Sequence, residues 1–184
     1  MASINVPRIH FNAPAVLILS MLCIVVHMLS LDGHCAVPGR GGFNLNQPLH
    51  YLRLFTHILG HGGWEHLFGN LTLILLLGPI LEDRYHSGSL AIMVLLTALI
   101  TGLANVLLSR HGLMGASGIV YMFIILASIV NIRGGTIPLT FLLVAVVFIG
   151  KEIVAAIDQK DNISQMAHIV GGIIGAFLGF KFKR

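Results

Sequence analysis

The sequence predicts an all-α membrane protein, a bundle of six transmembrane helices forming one domain over residues 1–184. Three observations carry this. Hydrophobic residues make up 56% of the chain and charged residues 10%, whereas soluble domains are about a quarter charged. Mean hydropathy is +0.91. Six apolar stretches, near 13–31, 66–81, 89–109, 113–132, 137–157 and 165–181, reach or approach the roughly 17–25 residues that cross a bilayer as a helix.

The first stretch has no small-residue cleavage site before Leu31-Asp32, so it reads as a retained span and not a signal peptide. The connection from Asp32 to Glu65 holds Pro38, Gly39, Gly41, Gly42, Pro48, Arg53 and Trp64. Structureless loops of this length inside a compact domain usually serve function. Its second half, Leu49 to Leu59, mixes apolar and polar residues at helical spacing and predicts a helix lying partly in the membrane interface. Spans two and six are short and interrupted by glycine. Span five carries Lys151, Glu152 and Asp158 toward its outer end. No linker, repeat or low-complexity tract divides the chain.

The net charge of +4 and pI near 9.4 reflect a scarcity of acids. Lys and Arg are scattered and no basic run carries interleaved aromatics, which argues against a nucleic-acid partner. Arg8, Arg84, Arg133, Lys181, Lys183 and Arg184 fall on the side of the N-terminus. Arg40, Arg53, Arg110 and Lys160 fall on the other, with Lys151 near it. The bias predicts both termini in the cytoplasm. The lack of a long extension or transit peptide points to a prokaryotic inner membrane. Cys23 and Cys35 sit at unequal depth and predict two unpaired thiols.

In this orientation spans two, four and six run the same way. His66 and Asn70 then begin span two, Ser117 begins span four and His168 begins span six, all toward the outer face. Polar and ionisable groups are costly inside a membrane, which makes them functional candidates. On span six, Gly175 and Gly179 fall within about 20° of the His168 direction and Gly171 about 60° off it. Such a small-residue stripe lets two helix backbones approach closely. Span four opposes it with Gly115, Ala116 and Gly118 around Ser117. Close packing of these spans would bring the Ser117 hydroxyl to the His168 imidazole, the arrangement of an activated nucleophile.

Tyr121, four residues after Ser117, shares its helix face and is placed to stack on His168. No Asp or Glu lies within the outer ends of these spans, so the pattern reads as a dyad and not a triad, with slow turnover expected. His66 and Asn70 are also four apart, and with the Ser117 N–H they can donate to an oxyanion. His61 is near enough to assist. Asn105 reads as an interhelical hydrogen-bonding residue.

The patterns His61-x4-His66-x3-Asn70, Gly115-Ala116-Ser117-Gly118 with Tyr121, and Ala167-His168-x2-Gly171-x3-Gly175 together resemble the rhomboid family of intramembrane serine proteases. The likeness covers essentially the whole chain. It implies a six-helix core with a water-filled cavity opening outward, a Ser117–His168 dyad and an oxyanion site from His66 and Asn70. Where many relatives carry Trp-Arg in the first loop, this chain has Leu52-Arg53.

The expected reaction is peptide-bond hydrolysis in transmembrane segments of other proteins, within the lipid bilayer and without cofactor or metal. A membrane helix satisfies its own backbone hydrogen bonds, so the substrate must unwind locally before attack. Span five is the expected gate and Gln159-Lys160-Asp161-Asn162 the expected cap. Ten histidines raise a metal-binding transporter as an alternative. However, no His-Glu-x-x-His pair occurs, and His10, His27, His34, His86 and His111 scatter over both faces. His27 alone of these sits well inside a span and reads as structural. A non-catalytic helix-binding chaperone on the same scaffold would be expected to lack Ser117 or His168, and both are present.

Overall fold

Runs of Leu, Ile, Val and Ala with few breakers fold as helices, which pair every backbone group within the segment. A computed structural model describes residues 11–129, 139, 142, 143, 146, 147, 150 and 162–181. Its helices are α1 (Pro14–Met28), α2 (Asp32–Cys35), α3 (Pro48–Thr56), α4 (Trp64–Tyr85), α5 (Ser87–Leu108), α6 (Ser117–Ile129) and α7 (Asn162–Lys181). No strand occurs among the described residues, only an isolated antiparallel bridge between Val37 and Leu113. α4 and α5 are long and apolar enough to cross a membrane, while α1, α6 and the Gln165–Lys181 part of α7 are shorter apolar helices. Ile18, Met21, Leu76, Ile80, Ile92 and Phe177 point outward from them, as a lipid-facing surface requires.

Phe123, Leu67, Ile74, Leu81 and Met93 fill the centre, fully buried between α4, α5 and α6. α6 and α7 form the closest pair. A side chain at Gly171 would run into the Gly118 backbone, and a Cβ at Gly175 would lie 2.8 Å from the Met122 carbonyl oxygen. Only glycine permits this approach. α1 crosses α4 at Gly78, where a Cβ would meet Val16 Cγ2 at 2.6 Å.

α1 begins at Pro14, whose fixed φ suits a first helical position. Its free N–H groups are taken by a distant acid: Glu82, buried on α4, accepts from Ala15 N at 2.9 Å and Val16 N at 3.0 Å. Orphan first-turn donors need such a partner, and a carboxylate also complements the positive end of the helix.

The first loop contains the expected helix, α3. Leu49, Tyr51, Leu52 and Phe55 on it are exposed while Leu54 packs on Gly102 of α5. Arg53 donates from Nε to the His34 carbonyl at 3.0 Å. The loop is pinned by Val37, which exchanges both backbone hydrogen bonds with Leu113 at 3.0 and 2.9 Å. Asn105 is fully buried and donates from Nδ2 to the His111 carbonyl at 3.0 Å and to that of Pro38 at 3.4 Å. It thus holds loops and does not join two helices. Cys23 and Cys35 are both free thiols.

Three boundaries differ from the hydropathy reading. α6 starts at Ser117 and not at 113, because Leu113 is bridged to Val37 and Gly115 holds φ +129°. α4 continues through Gly78 and Pro79 to Tyr85. α7 starts a turn earlier, at Asn162. Span five is described only at six positions between 139 and 150, all helical. The gate residues Lys151, Glu152 and Asp158 and cap residues 159–161 lie outside the described residues, as does the Asn162 side chain.

Candidate active site

The N-terminal ends of α4, α6 and α7 meet around a cavity of about 750 Å³ lined by Gly62, Gly63, Glu65, His66, Gly69, Asn70, Leu73, Ser117, Val120, Tyr121 and His168. The parallel course expected for these helices therefore brings Ser117, Tyr121, His168, His66 and Asn70 to one space. Glu65 joins them. Its carboxylate fell just before the second apolar stretch, so the hydropathy reading left it out.

Ser117 occupies the first position of α6 and is half-buried. Gly118, beside it, sits 3.3 Å (measured from an ideal Cβ) from both the Ala167 carbonyl oxygen and Thr101 Cγ2. This contact places the start of α6 against the turn of α7 that carries His168. The Tyr121 and His168 rings lie parallel, with centroids 3.9 Å apart and an interplanar angle of 7°. Four residues of helix separate Ser117 from Tyr121, so the stack fixes the imidazole on the face of α6 that also carries the hydroxyl.

His66 and Asn70 occupy successive turns of α4. A Cβ at Gly115 would lie 2.8 Å from His66 Cε1, so the glycine makes room for the ring as well as adopting a positive φ. The Gly115 N–H is held by the His57 carbonyl at 2.8 Å. Asn70 is buried, and its Nδ2 has no hydrogen-bond partner among the described residues. A buried donor left free at a cavity wall is uncommon and is available to a ligand oxygen.

His61 does not line the cavity. Its ring packs edge-on against His66 at 5.1 Å, and its Nδ1–H donates to the Leu59 carbonyl at 3.2 Å. Burial, aided by the charge His66 would carry, pushes its pKa down to about 4, so it is neutral at pH 7. His57 is likewise buried, donates from Nε2 to the Ala98 carbonyl at 2.9 Å, and is pushed down to about 4 by burial. Nothing in the apolar pattern distinguished His57 from its neighbours. Only its place in His57-x3-His61-x4-His66, on one winding segment, hints at it.

A further group escaped the sequence reading. Asp32 accepts the His61 backbone N–H at 2.8 Å and the His27 Nδ1–H at 3.0 Å. Burial raises the Asp32 pKa, but these donors outweigh it and hold the carboxyl below its ordinary value. His27 was read as structural, and a bond to an acid at the next loop is that kind of role. Among the described residues, no group of three or more His, Cys, Asp or Glu side chains is placed to hold a metal.

The architecture defines a helical protein whose polar cavity is assembled at the like ends of three apolar helices. Residues 48–184 match the Rhomboid domain, and the chain belongs to the rhomboid family. It is 30% identical over 175 residues to the Rhomboid protease GlpG of Salmonella paratyphi A, covering 91% of this chain and 62% of that protein. The same figures hold for Rhomboid protease GlpG of Salmonella typhi. Rhomboid-related protein 1 of Caenorhabditis elegans is 30% identical over 139 residues, 70% of this chain and 39% of that protein. The chain thus spans about three fifths of the length of the first two relatives, 62%.

Proposed function

We propose that this protein is a multi-pass intramembrane serine endopeptidase that cuts transmembrane segments of other membrane proteins. The observation that carries the reading is the parallel Tyr121–His168 stack inside the cavity that Ser117 also lines. In this reading the imidazole takes the Ser117 proton as Oγ attacks the scissile carbonyl. It then returns that proton to the leaving amine, and water hydrolyses the acyl-enzyme by the same route. The Ser117 N–H, Asn70 Nδ2 and His66 receive the oxyanion, and each such donor contributes about 100–1,000-fold. The flat stack on Tyr121 holds the ring in orientation. It stands where a triad would place a carboxylate.

Gly115 and Gly118 serve by absence, one admitting His66 and the other admitting α7. Gly171, Gly175 and Gly179 extend that seam. Six spans, both termini in the cytoplasm and a prokaryotic inner membrane complete the proposal. The cavity then opens toward the outer face, where water reaches it and where a substrate helix frays. The metal-independent chemistry needs no cofactor. The membrane placement is supported by the two span-length helices and by the outward apolar side chains of the shorter ones.

The test is cleavage of a fluorescent transmembrane reporter by the purified chain in detergent. Ser117→Ala and His168→Ala should each lower the rate by at least about 1,000-fold, as loss of the nucleophile or its base does in a triad serine protease, with thermal stability unchanged. Equal cleavage by all three proteins would remove the assignment.

A further inference from the structure

We propose that Asp32, with His27, is a positioning residue for His66, acting across the Gly62-Gly63 connection; this rests on Ser117 being the nucleophile. The two glycines separate His61 from Trp64, the first residue of α4, and a Cβ at either would meet nothing within 4 Å. The connection is therefore open on the Cβ side of both glycines. α4 also begins without a side-chain cap, and an uncapped first turn frays unless other contacts restrain it. His66 is the third residue of that turn.

The Asp32–His27 pair restrains both sides of the connection. On the upstream side, Asp32 Oδ1 accepts the His61 N–H at 2.8 Å. That fixes a ring which packs on His66 at 5.1 Å. On the downstream side, the His27 ring stands edge-on to Trp64 at 4.5 Å, and Trp64 in turn stacks on Phe68 at 5.5 Å. The bond from His27 Nδ1 to Asp32 Oδ2 at 3.0 Å joins the two halves. One carboxylate, at the first position of α2, thus braces the segment before α4 and the first turn of α4 together. Freed of it, His66 would drift, and a displacement of about 1 Å at a reacting geometry costs on the order of 100-fold.

The experiment uses the full chain in detergent. It reads reporter kinetics and the rate at which a fluorophosphonate labels Ser117, for Asp32→Ala, Asp32→Asn and His27→Phe, each alone and with His66→Ala. Asp32→Ala should lower kcat roughly 10–100-fold with KM within about twofold. Asp32→Asn keeps an acceptor for the His61 N–H and should recover to within about threefold of wild type. In the His66→Ala background the cost of Asp32→Ala should shrink to about twofold, since the two act through one contact. Unchanged kcat in Asp32→Ala, or a cost equally large without His66, would overturn the proposal. If Asp32→Ala does not fold, His27→Phe carries the same comparison, because it retains a ring on Trp64 while losing the bond to Asp32. A wild-type protein neither labelled nor cleaving would instead sink the nucleophile reading itself.

Discussion

The two walls of the cavity are built by different physics. The wall carrying Ser117, Tyr121 and His168 is the α6–α7 seam, held by backbone lying on backbone at Gly118, Gly171 and Gly175. The wall carrying His66 and Asn70 is the start of α4, held by hydrogen bonds and ring contacts from α1, α2 and the first loop. Shape fixes one side, and polar partners drawn from distant segments fix the other. The close-packed side is aligned by shape, whereas the polar side is aligned by hydrogen bonds to Asp32 and by ring contacts. A site divided in this way should fail differently at each wall.

The largest effect should come from breaking the seam. Gly171→Val would drive a side chain into the Gly118 backbone. Overpacking costs typically 1–3 kcal/mol, and relief here requires moving the nucleophile's own helix. Loss of Ser117 labelling together with a lowered melting temperature is expected, and retained labelling would mean the seam is not what aligns the dyad. Next is Gly115→Ala, at the junction of the two walls. It places a methyl on the His66 ring and adds positive-φ strain of about 1–3 kcal/mol. Steady-state kinetics should show kcat down on the order of 100-fold, the value of one oxyanion donor.

The smallest effect acts through two buried histidines of the first loop. His57 and His61 have folded pKa values near 4 against an ordinary 6.5. The unfolded chain therefore binds more protons between those limits, and stability rises with pH across that window. Their contribution is complete above about pH 6.5 and is lost as the pH falls toward 4. Melting temperature recorded from pH 7 to pH 4.5 should fall, and His57→Phe should flatten the slope. An unaltered slope would place the acid-sensitive groups elsewhere.

The same division explains what the sequence made legible. The seam could be read because its signal is local and periodic: Gly171, Gly175 and Gly179 recur every four residues behind His168, and Ser117 precedes Tyr121 by four. The loop helix α3 announced itself by mixed polarity at helical spacing. Asp32, His27 and Glu82 gave no such signal, because their partners are backbone amides or rings that carry no pattern of their own. Glu82 meets its donors 67 and 66 residues away. The start of α6 was misjudged for a related reason: residues 113–116 are apolar enough for a span, but Leu113 is bridged to Val37 and the Gly115 N–H is held by the distant His57 carbonyl. Asn105 looked like interhelical glue because sequence cannot distinguish a helix partner from a loop carbonyl.

The Glu82 cap also bears on how the chain is made. When α1 leaves the ribosome, the carboxylate that will receive the Ala15 and Val16 amides has not been synthesised, since it lies 67 and 66 residues downstream. The first turn of α1 therefore lacks the Glu82 acceptor until α4 has been made. Docking of α1 onto Gly78 and Glu82 is then a late event in biogenesis. A nascent chain arrested before residue 82 would carry α1 without the carboxylate that caps it.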